Sequence, residues 1–345
     1  MTTWTIGAAR TAAASTMLAL TISAAAPLGA ETPAEFYRGK QLRVIVSSSA
    51  GSSYDIYARN FAPHYSAEMP GQPLVIVQNM QGATGVRATN YLFNVAPKDG
   101  TTIGVLLREI PFQPLYGDSP ERLQYETLKF NWIGSLNNET SICATWHDSP
   151  TKTFADATKI ETMIGSNSVT DTSATTLNNL LHTKFKVISG YAGASIELAI
   201  ERREVDGRCG WSWSTLKSRK PEWVRDKKLN ILVQVGLEPN EELKGVPFVM
   251  DLAKSERDKR ALKLIFAPLG LGRPFAAPPD VPVDRVQALR DAFNRAAAKP
   301  QVAAELEKQS YDVTLVSGAR MTELLTELMN SPPDVIEAAV AAIRK

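Results

Sequence analysis

The sequence predicts an α/β protein, because short β-rich runs alternate with helical segments along most of its 345 residues. The first unit is a strand at Leu42–Val46, a loop of small residues at 47–53, and a helix from Asp55 to Ser66 with apolar residues at helical spacing. The second runs from a strand at Leu74–Val77 through a glycine-containing loop to a helix at Val86–Val95. This alternation is typical of α/β folds with mostly parallel sheets.

The same pattern continues toward the C-terminus, where helices become more frequent. β-branched and aromatic runs predict further strands at 101–107, 130–133, 141–146, 162–165, 186–188, 205–211 and 229–235. Apolar spacing predicts further helices at 174–181, 195–203, 286–297 and 321–328. The run of Pro and Gly from Pro268 to Pro282 predicts a connector between domains.

The first thirty residues have the composition of an export signal. Arg10 is their single charged residue, and an apolar, small-residue run at 11–27 follows it. That run is too short and too rich in Ala, Ser and Thr to span about 30 Å of hydrocarbon comfortably. Gly29-Ala30 then precedes the polar Glu31. We therefore predict a signal peptide at 1–30, cleaved before Glu31.

Composition and motifs exclude several functions. Lys and Arg number 38 and Asp and Glu 36, so the chain lacks the basic surplus of a non-specific nucleic-acid binder. Three His and two Cys leave little for a zinc site, and we predict no metal. The sequence contains no G-x-S-x-G elbow, no P-loop and no G-x-G-x-x-G after a strand, so we assign neither catalytic residues nor a cofactor. Cys143 and Cys209 either form a disulfide or remain two buried thiols.

Three strand-to-helix loops are rich in Ser, Thr, Asn, Gly and Ala: 47–53, 81–85 and 166–173. Backbone N–H groups at the start of each following helix attract an anion, and small residues let it approach closely. In an open α/β sheet such loops lie where ligands bind. The alternative is that each loop merely caps its own helix, and the residues alone leave both interpretations open.

Several segments together match a known family pattern. They are Phe36–Val46, the loop and helix start ending in Ala58-Arg59, Gly71–Gly85 (GQPLVIVQNMQGATG), Ala96–Thr102 (APKDGTT), Phe130–Gly134, Arg203–Gly207 and Leu264–Pro268. In this order the chain resembles the solute-binding proteins of tripartite tricarboxylate transporters, the Bug family of periplasmic receptors. It departs from the pattern in its loops: 47–52 has no Pro and one Gly, Thr84 replaces a Gly, and Tyr191-Ala192-Gly193 replaces Y-K-G.

The resemblance implies a two-lobed periplasmic-binding-protein (Venus-flytrap) architecture with a ligand cleft between the lobes. Lobe one would be 31–125 plus 261–345, and lobe two 126–260. The implied protein is a periplasmic monomer that binds a small carboxylate and delivers it to the membrane subunits of a tripartite tricarboxylate-type transporter. The alternatives are a ligand-sensing receptor for a signalling partner and an exported hydrolase or lyase.

The expected ligand-binding residues lie in these three loops and at five further positions: Asp55, Arg108, Tyr191, Gly193 and Trp211. We expect Asp55 to organise the first loop rather than touch an anion, which it would repel. Arg108 either pairs with the ligand carboxylate or lies on the surface, and Trp211 either reaches the cleft or packs on a sheet face. The full set is Ser48, Ser49, Ala50, Gly51, Ser52, Asp55, Gly82, Ala83, Thr84, Gly85, Arg108, Ser166, Asn167, Thr170, Thr172, Tyr191, Gly193 and Trp211.

Overall fold

The computed structural model describes residues 1–4, 31–117, 121–166, 172–191, 195–309 and 311–344. Contacts divide the chain into two units, Met1–Thr32 and Pro33–Lys345, and every element below belongs to the second. The predicted signal peptide lies outside the described residues over 5–30.

The described residues form two mixed sheets. In chain order the strands are β1 (Gln41–Val46), β2 (Leu74–Asn79), β3 (Thr102–Val105), β4 (Asn131–Ser135), β5 (Ser141–Trp146), β6 (Thr162–Ser166), β7 (Phe185–Ser189), β8 (Gly207–Ser212), β9 (Leu229–Val235), β10 (Pro274–Ala277) and β11 (Val316–Ser317). One sheet has the order β11-β4-β10-β3-β1-β2, and the other β7-β6-β8-β5-β9.

Helices pack around these sheets. They are α1 (Pro33–Tyr37), α2 (Ser53–Glu68), α3 (Val86–Asn94), α4 (Phe154–Ala157), α5 (Ser173–Leu181), α6 (Ser195–Glu201), α7 (Trp213–Arg219), α8 (Pro221–Arg225), α9 (Glu256–Leu271), α10 (Val283–Ala297), α11 (Pro300–Glu307), α12 (Gly318–Met329) and α13 (Pro333–Ile343). The α/β fold class is thus confirmed, and the predicted strands end within two residues of the observed ones.

The expectation of mostly parallel sheets is wrong. β1 runs parallel to β2 and β3, but β10 is antiparallel to both β3 and β4. In the second sheet β6 is parallel to β7 and β8, whereas β5 is antiparallel to β8 and β9. The physical reason lies in the connections: β4 leads out of the first sheet and β10 returns to it, so these neighbours run in opposite directions. β4, within the range 126–260 expected for lobe two, is hydrogen-bonded in the first sheet.

The run 268–282 is not a simple connector, because parts of it belong to α9 and β10 and only Gly272-Arg273 between them crosses from one sheet to the other. Helix α9 continues past Pro268 to Leu271. Because proline has no N–H, Pro268 cannot donate the helical hydrogen bond to the Leu264 carbonyl. The Tyr116 hydroxyl donates to that carbonyl instead, at 3.4 Å. Residues 274–277 form β10, inside the first sheet. Pro274 is tolerated as the first strand residue, and its carbonyl accepts from the Leu106 N–H at 3.0 Å.

Separate apolar cores form around the two sheets. α2 and α10 cover the first sheet through stacked and edge-on aromatic contacts among Phe61, Tyr65, Phe275 and Phe293. In the second sheet a disulfide joins Cys143 on β5 to Cys209 on β8, which decides between the two alternatives left open by the sequence.

Candidate ligand-binding site

Two chain crossings connect the sheets, and they are bonded to each other. The outgoing crossing is 136–140, and the returning one is 272–273. The Glu139 N–H donates to the Leu269 carbonyl at 3.0 Å, and Arg273 Nη1 donates to Asn137 Oδ1 at 2.9 Å. Gly272 has φ of 54°, and a Cβ there would lie 1.8 Å from the Asn137 carbonyl oxygen. The close approach of the crossings therefore requires glycine.

The first loop is organised by Asp55, as expected. Its carboxylate is 3% exposed and accepts from Gly51 N–H, Arg59 Nε and Asn79 Nδ2, each at 2.9 Å. Burial alone would raise the pKa of Asp55, but hydrogen bonds from Arg59, Gly51 and Asn79 outweigh it and hold the pKa below its ordinary value. Through these three hydrogen bonds Asp55 ties the first loop to α2 and to the end of β2.

The remaining residues of this loop surround the start of α2. Ser52 caps the helix by accepting from the Asp55 N–H at 3.4 Å, and Ser48 Oγ lies 2.6 Å from Ser52 Oγ. Ser49, Ala50 and Gly51 form the exposed tip of the loop. The first loop thus presents small residues to solvent at the carboxyl end of β1.

The second loop is a left-handed turn. Gly82, Ala83, Thr84 and Gly85 all have positive φ, at 140°, 47°, 52° and 87°. Positive φ is a genuine outlier for a β-branched residue such as Thr84, and strain of this kind concentrates at ligand sites. Successive backbone N–H groups in such turns form concavities that bind anions. A Cβ on Gly85 would lie 3.1 Å from Leu107, so this turn packs beside the end of β3.

Arg108 lies just after β3 and lines a cavity of about 270 Å³ between the two sheets. Ser141, Thr172 and Ser173 line the same cavity from the second sheet, the last two at the N-terminus of α5. The structure therefore brings together Arg108 and Thr172, two expected site residues 64 positions apart. Hydroxyl-bearing residues and the N-terminal end of α5, which carries the positive end of the helix dipole, thus line the same space as the guanidinium.

The Arg108 side chain is held by carboxylates that the sequence did not single out. Its Nε donates to Glu109 at 3.0 Å, and its Nη1 forms an ion pair with Glu139. Its backbone N–H donates to the Tyr54 hydroxyl at 3.2 Å. Burial, together with the Glu109 charge, raises the pKa of Tyr54, so this hydroxyl stays protonated.

Arg273 is a second cation near this cavity, and unlike Arg108 it is buried; sequence reasoning missed it. Its guanidinium contacts Asn137, Glu139 and the Ser53 hydroxyl, at 2.9, 3.5 and 3.3 Å. The available signal was a lone charged residue inside the apolar run 264–277. Buried charges need partners, so such a residue marks a polar cluster even when the partners are unknown.

The other expected residues divide into three groups. Ser166 and Tyr191 follow β6 and β7, and the Tyr191 N–H donates to the Ser166 carbonyl at 3.3 Å. Trp211 is buried on β8, with its ring centroid 5.9 Å from that of Trp223, so it packs on the sheet face. Three of the expected residues lie outside the described ones: Asn167, Thr170 and Gly193.

The described residues contain neither a membrane-spanning helix nor a cluster of metal ligands. Among the helices of these ranges, none combines the length and the apolar character that crossing a membrane requires. Across the same ranges, no three His, Cys, Asp or Glu side chains gather as ligands of a metal ion would.

Two sheets joined by paired crossings, with a cavity between them, define the fold of a periplasmic solute-binding protein. A TctC solute-binding protein from Polaromonas has this fold, with a TM-score of 0.69 and 17% identity over 89% of this chain and 99% of that one. The periplasmic binding protein BugD superposes with a TM-score of 0.56 and 18% identity, covering 89% of this chain and 98% of BugD. The two-lobed fold is confirmed.

A relative found by sequence and a further solved structure agree with these similarities. The chain is 27% identical over 329 residues to the UPF0065 protein in the gbd 5' region of Cupriavidus necator, covering 90% of this chain and 91% of that protein. MatC of Rhodopseudomonas palustris, solved with bound malate, has a TM-score of 0.53 and 18% identity, covering 88% of this chain and 99% of MatC. No protein-family model matches the chain. The resemblance to the solute-binding proteins of tripartite tricarboxylate transporters is confirmed.

Proposed function

We propose that this protein is an extracytoplasmic receptor that binds a small organic acid between its two lobes, one built on each sheet. The observation that carries the proposal is the cavity in which Arg108 faces the N-terminus of α5. A guanidinium and a helix N-terminus both favour negative charge, and they approach this cavity from different sheets. A carboxylate with a polar or charged far end can therefore bridge the lobes.

Two further observations support an anionic ligand. The turn 82–85, whose Gly85 N–H donates to the Gly82 carbonyl, has the positive φ values of turns that bind anions through their other backbone N–H groups, and the loop at 48–52 exposes small residues at the neighbouring end of β1. MatC, which shares the fold, was solved with malate, a small organic acid. Hydrogen bonds to charged groups contribute about 1.5–3 kcal/mol each, enough for a few of them to draw two lobes together.

A thermal-shift screen tests the ligand class. Malate, succinate, adipate and citrate are compared with putrescine and glucose, and a ligand held at 100 times its Kd stabilises by about 2.7 kcal/mol. We expect an acid to raise the melting temperature, and Arg108→Gln to abolish that rise. Arg320→Gln, at an exposed arginine paired with Glu323, is the matched control and should bind as the wild type does. Stabilisation by putrescine alone would overturn the proposal.

Closure is tested in solution. Small-angle scattering with and without the stabilising acid should show a smaller radius of gyration in the complex, because the ligand bonds to both lobes. An unchanged radius at saturation would contradict a bridging ligand.

We further propose that the chain works in the periplasm as a monomer, without catalysis, and that it hands its ligand to the membrane subunits of a tripartite tricarboxylate-type transporter. Intact-mass measurement of protein exported by a bacterial host should show a chain that begins at Glu31. Co-purification with those subunits in the presence of the acid would support transport. Capture of a sensor protein instead would favour signalling.

A further inference from the structure

A single buried carboxylate joins the wall of the cavity to both crossings. Glu139 lies on the outgoing crossing and is 8% exposed. Its Oε2 pairs with the guanidinium of Arg108 and lies 3.5 Å from Nη1 of Arg273. Two cations from distant parts of the chain therefore share one carboxylate.

The side chains of the two cations, Arg108 and Arg273, differ in how exposed they are to a solute. The Arg273 side chain is 11% exposed, and its guanidinium lies 5.3 and 5.2 Å from the ring centroids of Tyr54 and Tyr57. The Arg108 side chain is 23% exposed and lines the cavity. Arg108 is thus the cation of this cluster that a ligand meets.

Glu139 and Arg108 lie on the walls of different cavities. Glu139 lines a second cavity of about 290 Å³, together with Thr140, Trp213 and Asp312, whereas Arg108 lines the first. The ion pair therefore joins the wall of the first cavity to the wall of the second. A guanidinium carries five N–H donors in a rigid fork, so a carboxylate arriving from the first cavity must compete for its orientation.

We propose that Glu139 is a built-in competitor of the ligand and that it determines which solutes the receptor accepts. This inference rests on the proposed function and concerns the same site. In the ligand-free protein Glu139 neutralises Arg108, and a ligand carboxylate takes over that role on binding. Glu139 keeps Arg273 as its partner after the exchange, so neither buried charge is left alone.

Charge selectivity follows from this exchange. A neutral solute brings no charge to replace that of Glu139, so it leaves the Arg108 ion pair in place. A dianion competes more strongly than a monoanion of the same size. The receptor therefore prefers dicarboxylates over monocarboxylates and over uncharged solutes such as sugars.

Glu139→Gln tests the competition through the sign of its effect. Removing the competing charge should tighten malate binding about threefold to tenfold in calorimetry. The substitution should also lower the ratio of the butyrate Kd to the succinate Kd. The matched control is Glu242→Gln, because Glu242 lines the second cavity with Glu139 but pairs with Lys217 instead of Arg108, so malate binding should stay unchanged. Weaker or unchanged malate binding by the Glu139 variant would overturn the proposal and leave Glu139 a structural residue.

A second measurement needs no ligand. Phenylglyoxal reacts with arginine guanidinium groups, and peptide mass spectrometry follows each site separately. Arg108 should react faster in Glu139→Gln than in the wild type, while Arg320 serves as the unchanged reference. If the glutamine variant does not fold, Glu139→Asp replaces it. This variant shortens the side chain by one methylene, which moves the carboxylate away from Arg108, so Arg108 should again react faster than in the wild type. Equal Arg108 rates in folded variants would refute the inference. If malate does not stabilise the wild type, the proposed ligand is wrong. The phenylglyoxal rates of Arg108 in the wild type and in Glu139→Gln would still test whether Glu139 restrains Arg108.

Discussion

Replacing Asp55 by Asn should destabilise the protein and weaken ligand binding together. The Asp55 carboxylate accepts three hydrogen bonds at 2.9 Å, from Gly51 N–H, Arg59 Nε and Asn79 Nδ2. Asparagine has a single acceptor oxygen, and its amide group would face donors. Hydrogen bonds to a charged group contribute about 1.5–3 kcal/mol, so we expect the free energy of unfolding to fall by about 2–3 kcal/mol. The first loop would lose its anchor at Gly51, which should reduce the thermal shift produced by malate.

The pH dependence gives this prediction a second readout. Because the pKa of Asp55 is depressed in the folded protein, its contribution is present above the unfolded pKa of about 3.9 and is lost as pH falls through the folded pKa. The stability gap between wild type and Asp55→Asn should therefore be largest above about pH 4 and close at lower pH. Urea denaturation across this range measures the gap.

A matched control separates the site from ordinary capping. Asp156 also accepts backbone N–H groups at a helix start, from Lys152 at 3.1 Å and Thr153 at 2.9 Å, but it is only half-buried and lies at α4. Asp156→Asn should cause a smaller loss of stability and leave malate binding unchanged. Equal effects of the two substitutions, or a stability gap for Asp55→Asn that does not vary with pH, would refute the reasoning.

Three more predictions concern covalent and backbone constraints. Replacing Cys143 and Cys209 together by Ala removes a cross-link between residues 66 positions apart and should lower the free energy of unfolding by about 2–4 kcal/mol; an unchanged urea midpoint would contradict this. Thr84→Gly relieves a left-handed β-branched residue and should stabilise by up to about 1 kcal/mol in thermal melts, whereas a clear loss would show that the turn is not strained. Gly272→Ala would place a Cβ 1.8 Å from the carbonyl oxygen of Asn137 and should destabilise by more than about 3 kcal/mol in calorimetry; wild-type stability would show that the crossings can separate freely.

The sequence by itself determined most of the local structure. Strands at 141–146 and 229–235 match the predicted bounds, because β-branched and aromatic runs are local signals. Asp55 was correctly expected to organise its loop, since an acidic residue in the first turn of a helix commonly bonds the backbone there. The loops at 47–53 and 81–85 were recognised from their small residues alone.

Only the tertiary structure decided which strands lie side by side and which cysteines pair. β10 could not be predicted, because its neighbours β3 and β4 lie more than a hundred residues away and its sequence contains Pro274. Direction within a sheet depends on where the chain leaves and returns, which hydrophobic periodicity does not record. The disulfide was one of two open alternatives until β5 and β8 proved to be neighbours.

The polar cluster at the crossings shows the same limit. Arg108, Glu139 and Arg273 are each ordinary charged residues in the sequence, and Glu139 and Arg273 stand 134 positions apart. A buried charge is stable only when it is paired, because burial removes its hydration. The residue type therefore indicates that a partner is needed, and only the fold determines which residue that partner is. Local chemistry therefore determined the elements and loops of this protein, and the packing of two sheets decided which charges meet at the crossings.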